Sequence, residues 1–335
     1  MLLSVLRRLA AALALGAVLL PLAAPAQPGS RPIFVLNSLD ASISVIDPVS
    51  FTERKRIATG KEPHHLYLTP DEKSLLVANA LSDSLTFIDP VTGDVQRTLN
   101  DIDDPYHLRF SPDMKWFVTA ANRLDHVDIY RWQPQDAALP LKLVKRIPAP
   151  KTPSHMTIDS KSTVVYVSLQ DSDELMAIDL VRQEPRWKIK VGKLPADVYI
   201  TPDDKRLFVG LTGDKYVEVY DVSGAQPQLL QRILTGDGAH AFRGRGDGRQ
   251  LFVSNRVANT ISVIDTQSLT VLSQLPGPGG PDCMDLLADG KTLLVTSRWA
   301  RKLSFVDIDS RKLLRQVPVG RSPHGVWTLD HAPRR

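Results

Sequence analysis

The chain has a single cysteine, Cys283, among its 335 residues. No internal disulfide is therefore available, and this thiol is free, a metal ligand, or paired with another molecule. Aromatic residues make up only 6% of the chain, so the core has to be built from aliphatic side chains. Neither sign of charge dominates: 41 basic residues stand against 37 acidic ones. Without Arg7 and Arg8 the 41 become 39 against 37, which removes the electrostatic case for a nucleic-acid partner. Beyond Leu22 no apolar run is long enough to span a bilayer. A nucleophile elbow, a phosphate-binding loop and a paired-carboxylate signature are all missing.

What is present begins with an export signal. Arg7 and Arg8 precede an apolar stretch from Leu9 to Leu22, and Ala24-Pro25-Ala26 offers small residues for cleavage. The pattern predicts a signal peptide over residues 1–26, a mature chain over 27–335, and a bacterial periplasmic location. The arginine pair alone does not decide between the general and the twin-arginine export route.

The mature chain is an internal repeat. A short β-branched strand recurs around Val35, Val77, Val118, Val167, Val209, Val253 and Val295, at intervals of 42, 41, 49, 42, 44 and 42 residues. Each unit continues through a strand ending in Asp47, Asp89, Asp179, Asp221, Asp265 or Asp307, with Tyr130 in that place in one unit. A third strand, a Gly-x-x-Pro loop and a last strand ending in a Pro-Asp turn complete it. Four short strands at this period predict the blade of a β-propeller, because such a unit cannot bury both faces alone. The mature chain opens on a second strand, Ile33–Asn37, and closes on a first strand, Val326–Leu329. The fold expected is a single all-β domain of seven blades, with the last strand completing the first blade.

Aligned on the loop that enters the innermost strand, the units read Pro63-His64-His65, Pro105-Tyr106-His107, Pro153-Ser154-His155, Pro195-Ala196-Asp197, Gly238-Ala239-His240, Pro281-Asp282-Cys283 and Pro323-His324-Gly325. The third position is His65, His107, His155, Asp197, His240 and Cys283 in six of these units. Strand alternation puts these side chains on the more polar face of the inner strand, opposite Leu66, Leu108, Met156 and Val198. His64 and His324 stand one position earlier. The pattern weakens at Ala241 and Arg243.

The segments Leu76-Val77-Ala78-Asn79, Ser84-Leu85-Thr86-Phe87-Ile88-Asp89 and Ile261-Ser262-Val263-Ile264-Asp265 resemble the YVTN-type β-propeller repeat, a family similar to the d1-haem domain of cytochrome cd1 nitrite reductase and to the propeller of nitrous oxide reductase. The resemblance covers nearly all of residues 33–330. It implies that the strand before the Pro-Asp turn lines the central channel. It also implies that the Gly-x-x-Pro loops share one face with the loops following the second strands. The chain has neither a cupredoxin domain nor a Cys-x-x-Cys-His haem-attachment motif, so it is neither of those whole enzymes.

These observations predict a ring of metal ligands at one channel mouth: His64, His65, His107, His155, His240, His324, Asp197 and Cys283. Neutral imidazole and thiolate suit copper, zinc or haem iron. Exposed imidazoles titrating near about 6.5 would release such an ion below about pH 6. Arg123, His126, Arg256, Arg298, Trp299 and Arg321 are placed on the surrounding rim, where they would meet an anionic ligand. Three readings stay open: a monomeric accessory protein handling a metal, a small-molecule cofactor or a periplasmic redox partner; a metal-dependent oxidoreductase; and an interaction scaffold with no metal.

Overall fold

The computed structural model describes residues 31–334. Its strands form seven antiparallel four-stranded sheets, and the expected ring closure is present: Pro323–Thr328 pairs with Ile33–Asn37 inside the first sheet. Ile33 faces Thr328, and Val35 faces Val326. The strand read from the sequence as Ile33–Asn37 has those bounds, and each of the other six repeat valines lies within a second strand. The predicted signal over residues 1–26 lies outside the described residues. Among the described residues no helix is long and apolar enough to cross a membrane.

Burial along each blade follows from its place in the ring. Second and third strands are covered on both faces by neighbouring blades, so Leu75–Asn79 and Ser84–Ile88 are buried at every position. The outermost strand has one face in water: Thr52–Ala58 is exposed apart from Glu53 and Ile57, and Ile57 alone is buried. Phe34, Phe87, Phe117, Phe208, Phe252 and Phe305 are fully enclosed between blades, where these few aromatics fill the widest gaps.

Polar contacts fix each blade against the next. Ser38 Oγ donates to the Pro63 carbonyl at 2.9 Å, and Ser168 Oγ to the Ala196 carbonyl. The recurrent aspartates act in turns: Asp47 Oδ1 accepts from the backbone N–H of Val49 and Ser50.

The inner strands carry a repeated irregularity that decides where the site residues point. In six of the seven blades an extra residue is inserted early in the inner strand, as between Pro63, opposite Asn79, and Leu66, opposite Val77. A bulge of this kind breaks the strict alternation of faces, so two successive side chains turn toward the same side. His64 and His65 both reach the axis for this reason.

Candidate functional site

The register also corrects one alignment. Ala239 lies opposite Asn255, in the place that Pro63 holds opposite Asn79 and Pro281 holds opposite Ser297. His240 therefore shares a level with His64, Tyr106, His324 and Asp282, not with His65, and Ala241 takes the level of His65. The sequence alignment puts Gly238 in the proline's place. With the slip removed, Arg243 faces the channel beside Arg109 and Asp285, and the apparent weakening of the pattern disappears.

The six histidines of the inner strands lie in one cluster. Ring centroids lie 4.4 Å apart for His65–His107, 4.8 Å for His65–His155, 5.0 Å for His107–His155 and 5.4 Å for His155–His240. His64 is sandwiched between His324 at 3.6 Å and Tyr106 at 3.8 Å. The predicted open mouth is not there. His64, His107, His155, His240 and His324 are all buried, with the His64 ring covered by Tyr106 on one side and His324 on the other. The adjoining cavity is about 80 Å³ and lies on the inner side, lined by His65, His107, His155, Asp197, Cys283 and Arg109.

Asp282, which the sequence reading passed over, is the electrostatic centre. Its fully buried carboxylate accepts from Arg256 Nη2 at 2.9 Å and from Arg298 Nη1 at 3.0 Å. Burial works against its ionised form, but the charge of Arg256 outweighs it and the carboxyl is held well below the ordinary carboxylate range. The one available signal was its column, shared with His64 and His324.

Hydrogen bonds assign the ring tautomers. A guanidinium only donates, so His240 Nε2, 2.6 Å from Arg256 Nη2, carries no proton. Its Nδ1 then holds the N–H and lies 3.1 Å from Asp282 Oδ1. A carbonyl only accepts, so His324 Nδ1, 2.8 Å from the His64 carbonyl, is an N–H. Its Nε2 is left as a bare lone pair 3.4 Å from Asp282 Oδ1. His65 Nδ1 likewise donates to the Tyr106 carbonyl at 2.8 Å, which frees Nε2. His155 Nε2 and His107 Nδ1 are buried without a hydrogen bond.

Burial keeps these rings neutral. It lowers His64, His107, His155 and His324 well below the usual imidazole value, with neighbouring imidazoles adding to the effect. Burial takes His65 to about 3 against the opposing bond to the Tyr106 carbonyl, and His240 to about 4 with Arg256 adding. Neutral imidazoles with free lone pairs are ligands in waiting. Ligand atoms within 4.8 Å of one another come from three sets: His155, His240 and His324; His64, His65 and His324; and Asp282, Cys283 and His324. His324 belongs to all three.

The other candidates divide. Cys283 reaches the site, its Sγ 3.5 Å from His324 Nδ1, but burial and then the charges of Asp282 and Asp197 push its thiol well up, so it is a thiol and not a thiolate. Asp197 borders the cavity, raised to about 6 by burial against the pull of Arg109. Of the predicted rim, Arg256 and Arg298 turn inward to Asp282. Arg123 is bound to Asp104, and Arg321 to Asp40. Trp299 is exposed beside Gly280. His126 does not join the cluster, because its strand is the third of its blade and it packs on Asp128.

A cavity of about 80 Å³ has room for roughly five to eight water-sized groups, since one needs about 10–15 Å³. An ion with a few waters fits; a haem macrocycle does not. The donor set of ring nitrogens and a carboxylate fits a divalent or monovalent first-row metal.

Fold and site together define a seven-bladed propeller with a buried histidine–aspartate cluster on its axis. The family model described as YNCE-like beta-propeller matches residues 3–334, and the chain belongs to that family. No curated protein matches the sequence. Among solved structures, the chain is similar to a protein of unknown function from Desulfotomaculum acetoxidans, with a TM-score of 0.75 and 16% identity over 91% of this chain and 100% of that one. It is also similar to the Pseudomonas aeruginosa periplasmic gluconolactonase PpgL, with a TM-score of 0.74 and 19% identity over 91% and 99%. A third is the dihydro-heme d1 dehydrogenase NirN, with a TM-score of 0.66 and 15% identity over 89% and 75%. At these identities the likeness is one of fold.

Proposed function

We propose that this protein is an exported, non-enzymatic accessory propeller that holds one copper or zinc ion at the axial cluster. His324 Nε2 and Asp282 Oδ1 form the centre of the proposed site, and His155 and His65, each of which shares a ligand set with His324, supply the further donors. The observation that carries this reading is the pair of facing acceptors: two lone pairs buried at 3.4 Å repel unless a cation stands between them. Orphaned ring nitrogens at His155 and His107 point the same way, because buried polar atoms almost always find a partner. Soft or borderline metals suit such donors better than magnesium or calcium, which take oxygen.

Arg256 and Arg298 keep Asp282 ionised, and Arg256 fixes the His240 tautomer whose Nδ1–H lies 3.1 Å from Asp282 Oδ1. These three residues orient the carboxylate without coordinating, as partners behind metal ligands commonly do. A periplasmic setting fits the apolar stretch Leu9 to Leu22 and the small residues Ala24-Pro25-Ala26 after it, and the partner it implies is a periplasmic redox protein or a small-molecule cofactor.

Thermal unfolding of the purified mature chain in a chelator, and then with copper or zinc, tests this reading. A ligand that binds only the folded state raises Tm by mass action, by roughly 2.7 kcal/mol of stability at a hundredfold excess over Kd. No shift with either metal contradicts it.

A further inference from the structure

A second cavity, on the face opposite the Gly-x-x-Pro loops, has a chemistry of its own. It measures about 440 Å³ and runs between the Pro-Asp turns at Pro70 and Pro112. That volume is in the range of roughly 300–1,000 Å³ typical of small-molecule sites. Its walls are apolar, with Phe110, Pro112, Met114 and Ile158, and its inner end is cationic, with Arg109 and Arg334. Arg109 and Arg334 also line the smaller cavity at the histidines, so the two spaces meet at these guanidinium groups.

The two arginines are not alike. Arg334 donates to Asp285 Oδ2 at 2.9 Å, and the same carboxylate accepts from buried Arg243 at 2.9 Å. Arg109 pairs with no carboxylate among the described residues. It makes one long bond, Nε to the Met156 carbonyl at 3.3 Å, and lies over the Tyr67 ring at 5.6 Å. Two cations share one anion, and among the described residues Arg109 has no carboxylate partner. The nearby acid Asp197 spends its hydrogen bonds on the backbone N–H of Val198 and Phe242. Glu72 stands at the outer rim and is exposed.

We propose that this pocket binds a small monocarboxylate with an apolar body, its carboxylate on Arg109 and its body along Phe110, Pro112, Met114 and Ile158. A planar guanidinium donates two parallel N–H bonds to a carboxylate, and the apolar walls exclude water from that pair. The site is independent of any metal at the histidines, so its failure leaves the metal reading untouched.

Isothermal titration of the full mature chain in EDTA, with sodium octanoate, 1-octanol and sodium acetate as probes, tests the proposal. Octanoate is expected to bind saturably at one per chain, at least about tenfold tighter than either other probe. Arg109→Gln is expected to erase the advantage over 1-octanol, and Arg109→Lys to retain part of it. Asp197→Asn, which removes the competing acid, should tighten octanoate. Thermal unfolding checks that each variant folds; if Arg109→Gln does not, the Arg109→Lys and Asp197→Asn results decide. Absence of saturable octanoate binding, or an octanoate preference unchanged in Arg109→Gln, overturns the proposal.

Discussion

His324 Nε2 and Asp282 Oδ1 face each other at 3.4 Å with no proton between them. The His64 carbonyl claims the ring's other nitrogen, and two arginines hold the carboxylate ionised. Each bond that satisfies one end of this pair leaves the facing ends less satisfied. The consequences are measurable.

Asp282→Asn should cost about 3 kcal/mol in urea unfolding, because Arg256 and Arg298 then keep partly buried charge without a counter-ion. The same variant should lose metal affinity. A stability within about 0.5 kcal/mol of wild type, the usual effect of a surface change, would remove Asp282 from the centre of the site.

Acid should destabilise the metal-free protein earlier than carboxylate titration alone explains. The unfolded chain takes up imidazole protons near 6.5, while His65 and His240 stay neutral in the fold down to about 3 and about 4. Between those limits the unfolded state binds more protons, so stability falls as pH drops from about 7 toward 4. Asp197 acts oppositely: raised to about 6, it is protonated in the fold below that pH, and its contribution is lost as pH rises through about 6. One carboxyl is outweighed by six rings. Unfolding midpoints measured from pH 8 to pH 4 check this, and a flat profile counts against buried neutral rings. The same shift changes the expectation for metal binding, which should persist below pH 6 because these imidazoles have no proton to release there.

Ring closure predicts a contrast between two tryptophans. Trp327 is 2% exposed, in the closing strand, with its ring centroid 6.2 Å from Phe34; Trp299 is 57% exposed. Trp327→Ala should cost about 3–5 kcal/mol, and Trp299→Ala about 0.5 kcal/mol or less. Chemical denaturation of the two variants reads the difference, and equal costs would contradict the closure.

The repeat made the fold legible, because a 42-residue period with strand-length apolar runs admits few architectures and the two chain ends supply complementary strands. Five of the six clustered histidines were legible for the same reason, as members of repeated loops. His240 was found but placed one level off, since Gly238 resembles the proline only by position. Asp282 was missed. A column of His, Tyr, Ser, Ala and Asp has no common chemistry until the bulge turns it toward the axis, and a bulge leaves no residue signature of its own. The closed mouth was equally hidden: stacking of His64 between Tyr106 and His324 joins three different blades.

Metal content after equilibrium dialysis tests the central claim most directly. Mature protein dialysed against copper or zinc and then against weak chelator should retain one ion per chain. A His155→Ala/His324→Ala double variant that still folds should retain none, and His331→Ala, altered in the tail, should match wild type. Wild-type protein without stoichiometric metal, or a double variant that keeps its ion, would contradict the account.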